Sequence, residues 1–171
     1  MNRKLNLDPS TNTPKLYLDG DLYPLEWTSL TADVQPSVSG LPSMDYGLYL
    51  FNIVKFHLGP TYRFLDEAAF VSHLQKFYGH PTGEKVIESR FWFVQFLLVL
   101  ALGNAFLARP RTQSGCPPGS KIFIRAMSVM PNHVSTGKDS LFAMEALGLA
   151  GIYLYAIDHR EAAHVQVRQH T

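Results

Sequence analysis

With 171 residues, 46% of them hydrophobic, the chain is long enough for one cored domain and too apolar to be disordered throughout. Its 15 basic and 14 acidic residues leave a formal charge of +1, which excludes the strongly basic surface expected of a nucleic-acid-binding domain. One cysteine, Cys116, excludes an internal disulfide and a structural zinc site built from cysteines alone.

The opening Met1-Asn2-Arg3-Lys4 leads into polar residues, so no secretory signal is expected and a reducing, intracellular setting follows. Residues 1–40 are rich in Ser, Thr, Asn and Asp and interrupted by Pro9, Pro14, Pro24 and Pro36, which reads as a flexible linker or tail through residue 42. Within it, Leu16-Tyr17-Leu18 and Leu22-Tyr23 flank Asp19-Gly20 in the pattern of a small hairpin.

From Ser43 the pattern turns helical. Ser43 caps a helix over 44–58, stopped by Gly59-Pro60 because proline disfavours helical geometry at the residue before it. Asp66 caps a second helix, with Leu65 poised to pack on Phe70 as a hydrophobic staple. Phe70, Val71, Leu74, Phe77 and Tyr78 recur at helical spacing, and Gly79 and Pro81 end the run.

A third helix is predicted over about 84–107. Residues 91–108 carry no charge and would span roughly 27 Å as a helix, close to a bilayer core. Gln95 and Asn104 interrupt the run on roughly opposite faces, and Gly103 weakens it. A central helix surrounded by others accounts for the all-round apolarity, and no membrane partner is expected.

Pro110, Gly115, Pro117, Pro118 and Gly119 mark a loop before a short helix over 120–130, which Pro131 stops. The last elements are a helix over 140–157 and, capped by Asp158 with Glu161 three residues on, another over 160–169. So short a turn would make them antiparallel neighbours, with Ala146, Gly148, Ala150 and Gly151 allowing close approach. The expected class is therefore all-α: an irregular multi-helix bundle with a helical-hairpin-like C-terminal pair and a flexible N-terminal tail. Apolar surface left over on that terminal pair makes self-association an expectation.

Residue patterns for chemistry are poor. His159 and His164 lie five apart, roughly 140° round a helix, whereas zinc-binding histidines on one face need four. His57, His73, His80, His133 and His170 form no ligand spacing, and Cys116 has no acidic orienter near it in sequence. The stretch 115–121 ends like a phosphate loop but lacks its spacing, and its prolines supply no N–H. Asp66 and Glu67 suit a helix N-terminus better than acid–base work. No catalytic, cofactor-binding or metal-binding residue is assigned, and no enzyme is expected.

The strings themselves carry a likeness. Asp45-Tyr46-Gly47-Leu48-Tyr49-Leu50-Phe51-Asn52-Ile53-Val54-Lys55-Phe56-His57-Leu58-Gly59 resembles the opening helix of the regulatory middle homology region in fungal transcription factors that carry a six-cysteine binuclear zinc cluster. Phe64 to Phe70 is similar to that region's entry into a second helix, Phe93 to Gly103 to its long central helix, Pro117 to Pro131 to the next, and Leu147 to Gln169 to a last helical pair. The resemblance covers roughly residues 43–170, so that 43–171 is assigned as the domain, and implies a regulatory domain in a nuclear protein that modulates transcription through protein partners or its own DNA-binding module. It further implies that zinc and DNA binding belong to a cluster this chain lacks, so neither is placed on any residue here and no cofactor is expected. The family region also extends past the equivalent of Thr171, so a partial domain is expected. A stand-alone helical interaction adaptor is the alternative.

Overall fold

A computed structural model describes residues 25–31, 34–59, 65–79, 87, 89–108, 116–131 and 138–169, with the side chains of the last segment described over 140–157. The described residues form helices α1 (Met44–Leu58), α2 (Glu67–Tyr78), α3 (Arg90–Leu107), α4 (Ser120–Val129) and α5 (Lys138–Gln169). The class is all-α.

Local chemistry sets the helix starts. Ser43 Oγ accepts from the Tyr46 N–H at 3.4 Å and Asp66 Oδ1 from the Ala69 N–H at 3.1 Å, each using a backbone donor that the first turn leaves without an intrahelical partner. Leu65 packs against the same core as Phe70, as a staple requires. The third helix begins later than its apolar pattern implies. Ser89 caps it through the Trp92 N–H at 3.3 Å, so the helix opens at Arg90 rather than near Glu84. Gly119, at φ +80°, turns the chain into α4 in a left-handed conformation that favours glycine.

α3 is the axis of the fold, packed against α1, α4 and α5. Every residue from Phe91 to Gly103 is buried. α2 joins through aromatic rings: Phe70 and Phe77 lie 6.3 and 5.5 Å from Trp92 by ring centroids, and Phe51 of α1 stacks on Phe70 at 4.6 Å. On the other side Phe123 of α4 stacks on Tyr153 of α5 at 4.5 Å. Two helical stretches among the described residues, Arg90–Leu107 and Ser140–Ile157, are long and apolar enough to cross a membrane. The first is 78% buried among its neighbours, as a central bundle helix is.

Three expectations change. The turn at Asp158 is absent: α5 runs as one helix through Gln169, so the C-terminal hairpin-like pair is not formed. No Gly or Pro lies between Ile152 and Gln169, and a capping side chain at Asp158 cannot by itself break a ladder that continues on both sides. The small residues of α5 accordingly serve another contact, since Ala146 and Ala150 are buried where α5 meets α3. Finally, the stretch 25–42, assigned to the tail by composition, is packed from Leu25 onward. Leu25 is buried in the core, Trp27 sets its ring edge-on to Phe123, and the Leu30 N–H donates to Ser128 O at 2.8 Å. Arg90 donates to the carbonyls of Thr31 and Val34, Arg125 to those of Ser37 and Ser39, and the Tyr78 hydroxyl to Pro42 O at 2.6 Å. The candidate hairpin at 16–23 lies outside the described residues.

Candidate interaction surface

α5 carries two different faces over residues 140–157. Ala143, Ala146, Leu149, Ala150, Tyr153 and Ile157 are buried. Their spacing of three and four residues keeps them on one side of the helix. The small side chains let the backbones come close, and Tyr153 reaches past them so that its hydroxyl donates to Pro118 O at 2.9 Å. Burial without charge raises the Tyr153 pKa above the ordinary tyrosine value.

One charged residue lies between Ser140 and Ile157, and it is used internally. Glu145 Oε2 accepts from Gln95 Nε2 at 2.6 Å, and its Oε1 accepts from the Asp66 N–H at 3.2 Å. This carboxylate ties three helices: α3 through a buried amide, and α2 through the residue that caps it. Gln95, which interrupts the apolar run of α3, is thereby explained. Asn104, the other interruption, donates back to Leu100 O at 2.8 Å. Gln95 Oε1 and Trp92 Nε1 are buried with no hydrogen-bond partner among the described residues.

The opposite side of α5 is apolar and open. Leu141 is 52% exposed, Met144 63%, Leu147 59% and Tyr155 68%. Gly151 lies on the same side, and nothing stands within 4 Å of where its Cβ would be. Leu141, Met144, Gly148, Gly151 and Tyr155 follow one another at steps of three and four, the seam of a helix that meets another helix.

The residues weighed for chemistry are scattered. The His57 Nδ1–H donates to Ile53 O at 2.9 Å and its ring stacks on Phe106. The His73 Nδ1–H donates to Ala69 O at 2.8 Å while its ring stacks on Trp92 and meets Phe142 edge-on. Both are packing side chains of their own helices. Cys116 is exposed before α4. In the segment likened to a phosphate loop, the Ser120 N–H donates to Pro117 O and the Ile122 and Phe123 N–H groups to Gly119 O, so these donors already serve the turn. Among the described residues no three His, Cys, Asp or Glu side chains gather in a group that could hold a metal ion. The side chains of His80, His133, His159, His164 and His170 lie outside the described residues. What the sequence reading missed is the open seam on α5: the heptad-like spacing was there to be read, but Ala146 and Gly151, which look alike in sequence, fall on opposite sides.

No family model, curated protein or solved structure matches the chain.

Proposed function

We propose that residues 43–171 form the regulatory, middle-homology portion of a nuclear transcription regulator of the zinc-cluster kind, working through protein contacts. The reading assigns this chain no zinc ligand, no DNA contact and no catalytic step. The observation that carries it is the agreement between the family-like strings and the helices. The first string coincides with α1, the second leads into α2, the third forms the buried centre of α3, and the fourth spans the turn into α4 and α4 itself; the fifth, likened to a helical pair, departs from that pattern by lying in the single helix α5. The order and spacing of the four strings that match helices α1 to α4 support the resemblance more than any one of them does.

A tethering assay tests it. The chain is placed between a heterologous DNA-binding domain and an activation domain, with a reporter gene as readout. A regulatory domain is expected to change output by about fivefold or more relative to the fusion without it, the range of ordinary coupling between modules. Unchanged output at equal nuclear level refutes the reading. The stand-alone adaptor is favoured by one feature, the open apolar side of α5. The mature transcript separates the two: an upstream reading frame with paired Cys-x-x-Cys spacing supports the regulator, and a frame that opens at Met1 supports the adaptor.

A further inference from the structure

We infer that the open side of α5 pairs with the same side of a second copy of this chain, the two helices running antiparallel about a twofold axis at the level of Ala146. The inference does not depend on the transcriptional reading.

α3 and α5 are matched in composition and unequal in burial. Their 18-residue stretches have the same mean hydropathy, yet Arg90–Leu107 is 78% buried and Ser140–Ile157 only 33%. A helix apolar on all sides is one with neighbours on all sides. α3 has them; α5 meets α3, α4 and α2 on one side, while Leu141, Met144 and Leu147 on the other are exposed.

The outer side is also self-complementary. With the axis at Ala146, Leu141 of one copy lies across from Gly151 of the other, and Met144 from Gly148. Leu141 and Met144 therefore each face a glycine, and the open space at Gly151 receives Leu141. These are the layers that antiparallel helices of heptad-like spacing form, a first-position residue against a fourth-position one. Over residues 140–157 no charge opposes the contact, because the one carboxylate there, Glu145, is held on the inner side by Gln95 and Asp66. The area suffices. The exposed fractions of Leu141, Met144, Leu147 and Tyr155 leave roughly 500 Å² on each copy, so that pairing two copies buries about 1,000 Å², where specific interfaces begin. An isologous contact of this kind closes at two copies and does not propagate.

Two measurements decide it. Sedimentation equilibrium at micromolar concentration is expected to give twice the chain mass for the wild type and the chain mass for Met144→Glu. Met144 is exposed in the single chain, so the far-UV circular dichroism of that variant should match the wild type. Geometry is read by crosslinking in a Cys116→Ser background. Leu141→Cys together with Gly151→Cys is expected to give a disulfide-linked dimer on mild oxidation. The two positions are about 15 Å apart along one helix, too far to close within a chain. Leu141→Cys alone is expected to remain uncrosslinked. A wild-type monomer, a mass above the dimer, or crosslinking by Leu141→Cys alone overturns the proposal. So does a monomer that floats with phosphatidylcholine vesicles, which would assign the face to lipid.

Discussion

α1 crosses α3 where Leu50 meets Gly103, and the closeness of that crossing makes a measurable demand. A Cβ on Gly103 would stand 2.8 Å from Leu50 Cβ, 2.9 Å from Cδ2 and 3.2 Å from Cγ, all inside van der Waals contact. Gly103→Ala gains about 1 kcal/mol of helix propensity and loses about 1–3 kcal/mol to overpacking, for a net loss of about 1 kcal/mol. Leu50→Ala empties a fully buried site and costs about 2–5 kcal/mol. In the double variant two of those three close atoms, Cγ and Cδ2, are gone, and the new methyl fills part of the void. The overpacking cost falls while the helix gain remains. The two substitutions should therefore couple by about 1–2 kcal/mol, leaving the double variant as stable as Leu50→Ala alone or more so. Urea unfolding of the four chains measures this, and for a chain of this length each 1 kcal/mol should also move Tm by about 2–4 °C. Additivity within about 0.5 kcal/mol would mean that these residues do not touch, and the α1–α3 crossing described above would be wrong.

Glu145→Ala removes the acceptor of a buried amide and of the Asp66 N–H together, and should destabilise the chain by about 2 kcal/mol in the same assay; a loss below about 0.5 kcal/mol would show that Gln95 finds another acceptor. Alkaline stability tests half-buried Tyr78 and buried Tyr153. Burial pushes the Tyr78 hydroxyl up to about 12 from an ordinary 10.0 and raises Tyr153 as well. A folded pKa above the unfolded one gives stability that is complete below about pH 10 and lost as pH rises toward about 12. Stability should decline across that window in the wild type and decline less steeply in Tyr78→Phe; equal slopes would refute the assignment.

How much of this was legible in the sequence follows from where the partners lie. Ser43 and Asp66 bond to backbone donors three residues away, so a local reading finds both caps and the bounds of α1 and α2. The burial of α3 was legible for a different reason: an apolar helix without charge from Phe91 to its end needs either neighbours or lipid, and Gln95 spoke against lipid. The packed stretch 25–42 was not legible, because its composition is that of a linker and its anchors are remote. Its carbonyls are met by Arg90, Arg125 and Tyr78, which lie 36 to 88 residues further along the chain. Arg125 is drawn far enough under this segment that burial lowers its pKa below the ordinary arginine value. Nothing in Thr31, Ser37 or Ser39 announces such a partner, since backbone oxygens are the same in every residue. The C-terminal pair failed on the opposite ground. Asp158 and Glu161 have the right letters for a capping box, but a cap is decisive only where the preceding residues leave the helix.

The two sides of α5 show what a composition-level reading can and cannot separate. Leu147 and Leu149 are the same residue two positions apart, one 59% exposed and the other fully buried. Two residues turn a helix by roughly 200°, which puts them on nearly opposite sides. Only the position of α3 decides which leucine stabilises the single chain and which is left for a second one. Glu145 makes the same decision chemically. It is the one charge in the stretch, and a helix built merely to lie on a surface would turn it to water. Here it is directed between α2 and α3, where it holds Gln95 and the cap of α2, and the outer side is left apolar. A contact on that outer side leaves the Glu145 bonds in place, and Met144 is exposed in the single chain, so its loss in Met144→Glu should leave the fold's own stability almost unchanged. That separation of association from folding is the property by which the paired state is to be recognised.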